Sequence, residues 1–142
     1  TMWELRKTDI YCVLICENMS AFLRKQKRID IVITGADRIA RNGDTANKIG
    51  TYSIAVLAGF HRIPFYVAAP ISSFDFSISS GAKIPIEQRD KREITHINGI
   101  GIAPRNIDAY NPSFDITPAG LISGFITEKG IYNPQEIYKL NR

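Results

Sequence analysis

Ile31-Val-Ile-Thr-Gly-Ala-Asp-Arg-Ile-Ala-Arg-Asn-Gly-Asp-Thr-Ala-Asn-Lys-Ile-Gly-Thr51 is the stretch that decides the fold. Its first four residues are β-branched and favour a pleated, buried strand. Gly35 breaks that run, and Asp37 and Arg38 follow directly. Asn42-Gly43-Asp44 is a turn signal, and from Thr45 the apolar residues Ile49, Val56 and Phe60, with the small Ser53 in phase, take helical spacing. The pattern predicts strand, loop and a helix from Thr45 to about Gly59, with Gly50 inside it at some cost in stability. Asp37 then stands just past the strand's carboxyl end, the edge at which open α/β sheets bind ligands.

That geometry suits an anionic substrate. Asp44 has the chemistry of an N-cap, so the free N–H groups of the helix's first turn would face the loop that carries Asp37. Those donors and the positive end of the helix dipole make a phosphate or carboxylate seat. Asn47 and Lys48 would fall in the first turn and add an amide and a full positive charge. One carboxylate beside such a seat fits acid/base chemistry on a phosphorylated small molecule. The plainer reading of the same residues is a capped strand–helix unit in which Asp37 pairs with Arg38 or caps a turn. Neither a Walker loop nor a dinucleotide-binding glycine fingerprint is present.

The 142 residues are one domain's worth of chain, with 44% hydrophobic and 23% charged residues and a formal net charge of +4. The one cationic run, Arg24-Lys25-Gln26-Lys27-Arg28, reads as the solvated end of a helix, where cations meet the negative dipole end. No aromatic residues are interleaved with it, which argues against a nucleic-acid partner. No stretch has the length and apolarity to span a bilayer and no signal peptide is visible, so a cytoplasmic location is expected. Trp3-Glu4-Leu5 reads as part of an element almost from the first residue. The expectation is that an N-terminal portion of the protein lies outside this chain.

Residues 2–8 read as the end of a helix, and Ile10 to Cys16 as a strand. Cys12 and Cys16 would then lie on one strand face roughly 13 Å apart, too far to share an ion or form a bridge, and read as buried structural thiols. Ser20 can cap a helix to about Lys27 with Phe22 and Leu23 inward. Phe65 to Ala69 is another apolar β run, and strands alternating with helices imply a parallel sheet. Ser72-Ser-Phe-Asp75 reads as a polar loop at that strand's carboxyl end, able to face the same cleft. Ile84 to Asp90 should be extended, Asn98 to Pro104 a surface turn, and Ile107 to Tyr110 a last short strand. Thr117 and Pro118 predict a helix carrying Leu121, Ile122, Phe125 and Ile126 inward and ending at Gly130. No residue set calls for a cofactor or a metal.

The blocks Gly35–Thr51, Pro64-Phe-Tyr-Val-Ala-Ala-Pro70, Ile84-Pro-Ile-Glu-Gln-Arg89, Asn111-Pro-Ser-Phe-Asp-Ile-Thr-Pro118 and Ile126-Thr-Glu-Lys-Gly130 stand in an order that resembles the methylthioribose-1-phosphate isomerases of methionine salvage. The resemblance covers nearly the whole chain but only the C-terminal part of that family's sequence. It implies an α/β, Rossmann-like parallel sheet with flanking helices, the latter half of the family's C-terminal domain. Residues 1–142 would form this single partial domain, with the N-terminal domain absent. It also implies a homodimer, a sugar-phosphate substrate and no cofactor.

By the same resemblance Asp37 matches the family's catalytic proton donor, and Asn47 and Lys48 its substrate-binding pair. The implied reaction converts 5-methylthioribose 1-phosphate, an aldose locked as a ring, into its ketose isomer. Ring opening needs a proton at the ring oxygen, hydrogen then moves between C2 and C1, and a pocket closed to water would help the acid. The family's catalytic cysteine, its arginine-containing phosphate loop and a substrate-binding glutamine lie upstream of the matched region. The chain alone is therefore expected to be inactive, and Cys12 and Cys16 do not stand in for the missing thiol. Ribose-1,5-bisphosphate isomerases and the regulatory subunits of the initiation-factor guanine-nucleotide exchange complex resemble it too, and remain alternatives.

Overall fold

The computed structural model describes residues 2–140. In chain order the elements are α1 (Met2–Arg6), α2 (Ser20–Lys25), β1 (Val32–Thr34), β2 (Arg38–Ala40), β3 (Thr45–Lys48), α3 (Thr51–Phe60), β4 (Phe65–Ala68), β5 (Phe74–Asp75), α4 (Arg92–Thr95), β6 (His96–Ile97), β7 (Ile100–Gly101), β8 (Phe114–Thr117), β9 (Gly124–Thr127) and β10 (Gly130–Tyr132), with short 3-10 turns between several of them. One sheet has the order β1-β4-β9-β10, parallel across its first three strands and closed by antiparallel β10. A second has the order β5-β2-β3-β8, antiparallel except where β5 meets β2. A small hairpin, β6-β7, turns at Asn98-Gly99, both at positive φ.

The fold is mixed α/β with parallel strands and flanking helices, as expected. Its core follows from strand alternation and from α3. Phe65 and Val67 point inward from β4, Phe125 meets Phe74 edge-on at 5.4 Å, and Ala55 and Ala58 of α3 let the helix lie close over them. The 3-10 stretch Pro134–Leu140 closes this core with Ile137 and Leu140.

Several expectations fail. The helix begins at Thr51, not Thr45, and Gly50 is its N-cap at φ 106°, outside the helical interior. The Asn42-Gly43-Asp44 turn joins two antiparallel strands instead of opening a helix. The inward face of α3 is Thr51, Ala55 and Ala58, and Val56 and Phe60 are exposed. The small residues go in because the sheet needs close approach, which spacing of large apolar residues does not reveal.

The predicted helix after Pro118 is instead a 3-10 turn (Ala119–Leu121) followed by β9 and β10, its β-branched residues paired in a sheet. No ladder pairs Ile10 to Cys16, Tyr11 and Leu14 are exposed, and so is Cys16, while Cys12 is half-buried. β1 is an edge strand paired only with β4, and these residues are not paired to its other side despite their strand propensity. Met19, not Ser20, is the N-cap of α2, Phe22 is exposed, and Arg24 is the residue α2 buries. Ile107 to Tyr110 forms no strand, and part of the Ser72–Asp75 loop is β5. No helix among the described residues is long and apolar enough to cross a membrane.

Candidate active site

Asp37 sits in the short link between β1 and β2. Its backbone N–H donates to the Ala46 carbonyl at 2.9 Å, which fixes it beside β3 one residue from Asn47. Its side chain is exposed, with no hydrogen bond or ion pair among the described residues. Gly35, two residues earlier, faces open space: a Cβ there would meet nothing within 4 Å. The loop is therefore not packed shut from that side.

Arg38 does not neutralise Asp37. Its Nη1 lies 3.4 Å from Asp75 Oδ2 on neighbouring β5, brought there by the pairing of Ile39 with Phe74 and Ala40 with Asp75. The Ser77 hydroxyl, first, and the Ser77 backbone N–H and Arg38 charge together hold the Asp75 carboxyl below its ordinary range against a smaller desolvation effect. The simple Asp37–Arg38 pair that the sequence allowed is thus absent, because Arg38 is taken by a carboxylate 37 residues away.

Asn47 and Lys48 lie on β3, not in a helical turn. Antiparallel register places Asn47 opposite Asp115 and Lys48 opposite Phe114. Asn47 Nδ2 donates to Thr51 Oγ1 at 2.9 Å, and that hydroxyl donates onward to the Lys48 carbonyl at 2.8 Å. Lys48 is exposed, its Nζ 5.5 Å from the centroid of the Phe114 ring. It has no ion-pair partner among the described residues. β3 thus turns the Asn47 amide toward the start of α3 and the neighbouring Lys48 ammonium toward Phe114 and solvent.

The start of α3 is not an empty anion seat. The Asp115 carboxylate accepts from the Gly50 N–H at 2.8 Å and from the Tyr52 N–H at 3.1 Å. An internal anion therefore takes the place expected for a substrate phosphate, satisfying the first donors and facing the positive dipole end. Glu17 also presses on this corner. A Cβ at Gly50 would fall 2.1 Å from Glu17 Oε1, so both the close approach and the positive φ demand glycine.

Asp44, expected as the helix cap, ties the far end of the hairpin instead. Its carboxylate accepts from Asn42 Nδ2 at 2.8 Å, the Gly81 N–H at 2.9 Å and the Ala119 N–H at 3.0 Å. Desolvation alone would raise its pKa, but these three donors together outweigh it and hold the carboxyl below its ordinary value. Asp115, Asp44 and Asp75 are the residues that sequence reasoning missed or misplaced. The alternation of Phe114-Asp-Ile-Thr117, with its β-branched members, was the available signal that Asp115 belongs to a strand.

A hollow of about 560 Å³ elsewhere is lined by residues between 91 and 107, including Lys91, His96 and Arg105, and none of the Asp37 corner. Among the described residues no group of three or more His, Cys, Asp or Glu side chains is placed to hold a metal ion.

Residues 1–134 match the profile of the initiation factor 2 subunit family, IF-2B. The chain belongs to that family. It is 54% identical over 142 residues to a methylthioribose-1-phosphate isomerase of Chloroflexus aurantiacus, covering all of this chain and 41% of that protein. It is 60% identical over 134 residues to the isomerase of the same name from Acetivibrio thermocellus, covering 94% of this chain and 39% of that one. The solved structure of 5-methylthioribose 1-phosphate isomerase from Pyrococcus horikoshii matches with TM-score 0.91 and 45% identity over 98% of this chain and 40% of its own. That of translation initiation factor eIF-2B subunit delta from A. fulgidus matches with TM-score 0.90 and 40% identity, covering 98% and 41%. The chain spans about two fifths of the length of these relatives.

Proposed function

We propose that this chain contributes the acid and part of the substrate cradle of an aldose–ketose isomerase acting on 5-methylthioribose 1-phosphate. The observation that carries the reading is the Asp37 carboxyl, unpartnered among the described residues on a loop whose backbone is pinned to β3 next to Asn47, while the carboxylates of Asp75 and Asp115 are already engaged. The 54–60% identity to relatives bearing the isomerase name supports it.

In this reading Asp37 donates a proton to the ring oxygen, the C1–O bond to that oxygen breaks, and the ring opens. A hydrogen then passes from C2 to C1 while the C2 hydroxyl loses its proton, so the product is an isomer with its phosphate retained on C1. Lys48 supplies charge to the phosphate and Asn47 an amide to the sugar hydroxyls. Asp37 is exposed here, so the dry surroundings that sharpen such an acid would come from polypeptide outside this chain. A homodimer and a second, N-terminal domain belong to the same proposal, as does a location in the cytoplasm.

The A. fulgidus structure at 40% identity supports a second reading, a non-catalytic subunit of an initiation-factor exchange complex. A ribose-1,5-bisphosphate isomerase is a third. Assays of the isolated chain, and of the chain completed by an N-terminal portion, against 5-methylthioribose 1-phosphate and ribose 1,5-bisphosphate separate them. The expected result is turnover of the first sugar by the completed protein only. Isomerisation of neither sugar, with binding to the initiation factor, would overturn the enzyme reading.

A further inference from the structure

The inner face of α2 holds a charge that nothing in the proposed isomerase chemistry uses. Arg24 is 4% exposed, and its Nε and Nη1 are buried without a hydrogen-bond partner among the described residues. Ten residues later, at the carboxyl end of β1, Thr34 Oγ1 is also buried and unpartnered. Both side chains line the same cavity of about 290 Å³. Ser20 adds a hydroxyl, Ile15, Ile29, Ile33 and Ile54 supply apolar walls that are open to solvent at Ile15 and Ile33, and among the described residues no carboxylate lines it.

A guanidinium with two of its three nitrogens buried and lacking an acceptor is a costly arrangement, and folds that keep such a charge pair it. Burial here is deep enough to depress the Arg24 pKa, so the charge is poorly compensated from within. The chemistry of the walls narrows the missing partner. The planar fork suits an oxyanion, and the single charge of a carboxylate balances the one cation of this lining better than the higher charge of a phosphate. The volume lies just below the range of roughly 300–1,000 Å³ typical of ligand pockets, so the occupant is small. Isoleucine walls ask for a branched aliphatic body.

We propose that this cavity binds a small aliphatic monocarboxylate, whose oxygens accept from Arg24 and from the Thr34 hydroxyl while its tail lies along the isoleucines, open to solvent on one side. The site is separate from the Asp37 corner and stands whether or not the isomerase reading holds. The test is calorimetric titration of the complete chain with 4-methylpentanoate, with its neutral amide and inorganic phosphate as controls, alongside thermal unfolding in each. Saturable binding of the acid with a raised midpoint is expected, while the amide and phosphate bind at least about tenfold more weakly. Arg24→Met should lose about tenfold or more in affinity and, freed of a buried charge, melt no lower than the wild type without ligand. Thr34→Val keeps the side-chain shape and should weaken binding several-fold, which preserves the test if the arginine variant misfolds. No saturable binding of the acid, equal binding of the amide or phosphate, or undiminished binding by both variants would overturn the proposal.

Discussion

The β2–β3 hairpin carries an aspartate at each end, and the two ends could hardly be more different. At the turn, Asp44 accepts one side-chain and two backbone hydrogen bonds that tie the hairpin to the 3-10 turns at Gly81 and Ala119. Gly81 approaches so closely that a Cβ there would fall 2.8 Å from Asp44 Cβ and 2.5 Å from Ile116 Cγ2. At the open end, Asp37 is fixed only through its backbone and its carboxyl faces solvent. A carboxylate saturated with fixed donors is an anchor and a poor proton donor. One left without a fixed donor, on a loop held only through its backbone, has no such tie. Neighbourhood, not residue type, separates the two ends.

The sharpest way to break this contrast, on the proposed isomerase reading, is to neutralise each acid in turn in the chain completed by an N-terminal portion. Asp37→Asn keeps shape and polarity but cannot donate a carboxyl proton, and should lower turnover of 5-methylthioribose 1-phosphate by about 10²–10⁴-fold. Its thermal midpoint should stay at the wild-type value, because no hydrogen bond of the carboxylate is lost among the described residues. Activity within a factor of two of wild type would remove Asp37 from the chemistry.

Asp44→Ala should do the reverse. It strips an acceptor from the Gly81 and Ala119 N–H groups, of which Gly81 is buried, at a cost of about 2–4 kcal/mol. Urea unfolding of the chain measures this directly. A midpoint unchanged from wild type would show that the turn end is not the anchor described here.

How much of this was legible beforehand depends on how far each residue reaches. The strands Val32–Thr34 and Phe65–Ala68 were readable because β-branched and aromatic runs declare themselves locally. So was Asp37's place at a strand end. Asn42-Gly43 is itself a strong hairpin signal, with Gly43 at φ 89°, but the helical spacing that begins at Ile49 drew the boundary six residues too early. Thr117-Pro118 carried good helix-start chemistry, which the β-branched residues overrode once β4 offered an edge. The occupant of the α3 N-terminus could not be read at all, since Asp115 lies 65 residues from Gly50 and reaches it only through the β3–β8 register. Local pattern thus placed Asp37 at a strand end, and long-range pairing decided what surrounds it.

A finer probe of the anchor uses acid. Three donors hold the Asp44 carboxyl below its ordinary value of 3.8 in the folded chain, whereas in the unfolded chain nothing does. The unfolded state therefore takes up this proton first as pH falls. The stabilisation is fully present above the unfolded value and is lost as pH drops from about 3.8 through the lower folded value. Asp75 and Glu136 are depressed in the same direction, so the wild-type urea midpoint should fall steadily between about pH 5 and about pH 3. Asp44→Asn starts from a lower midpoint, because an amide accepts these donors less strongly than a carboxylate. It should then lose less over the same interval, since the residue that titrated is gone. Parallel slopes for the two proteins would mean that the Asp44 network contributes no charge-dependent stability, and that the turn end is held by packing of Gly43 and Gly81 instead.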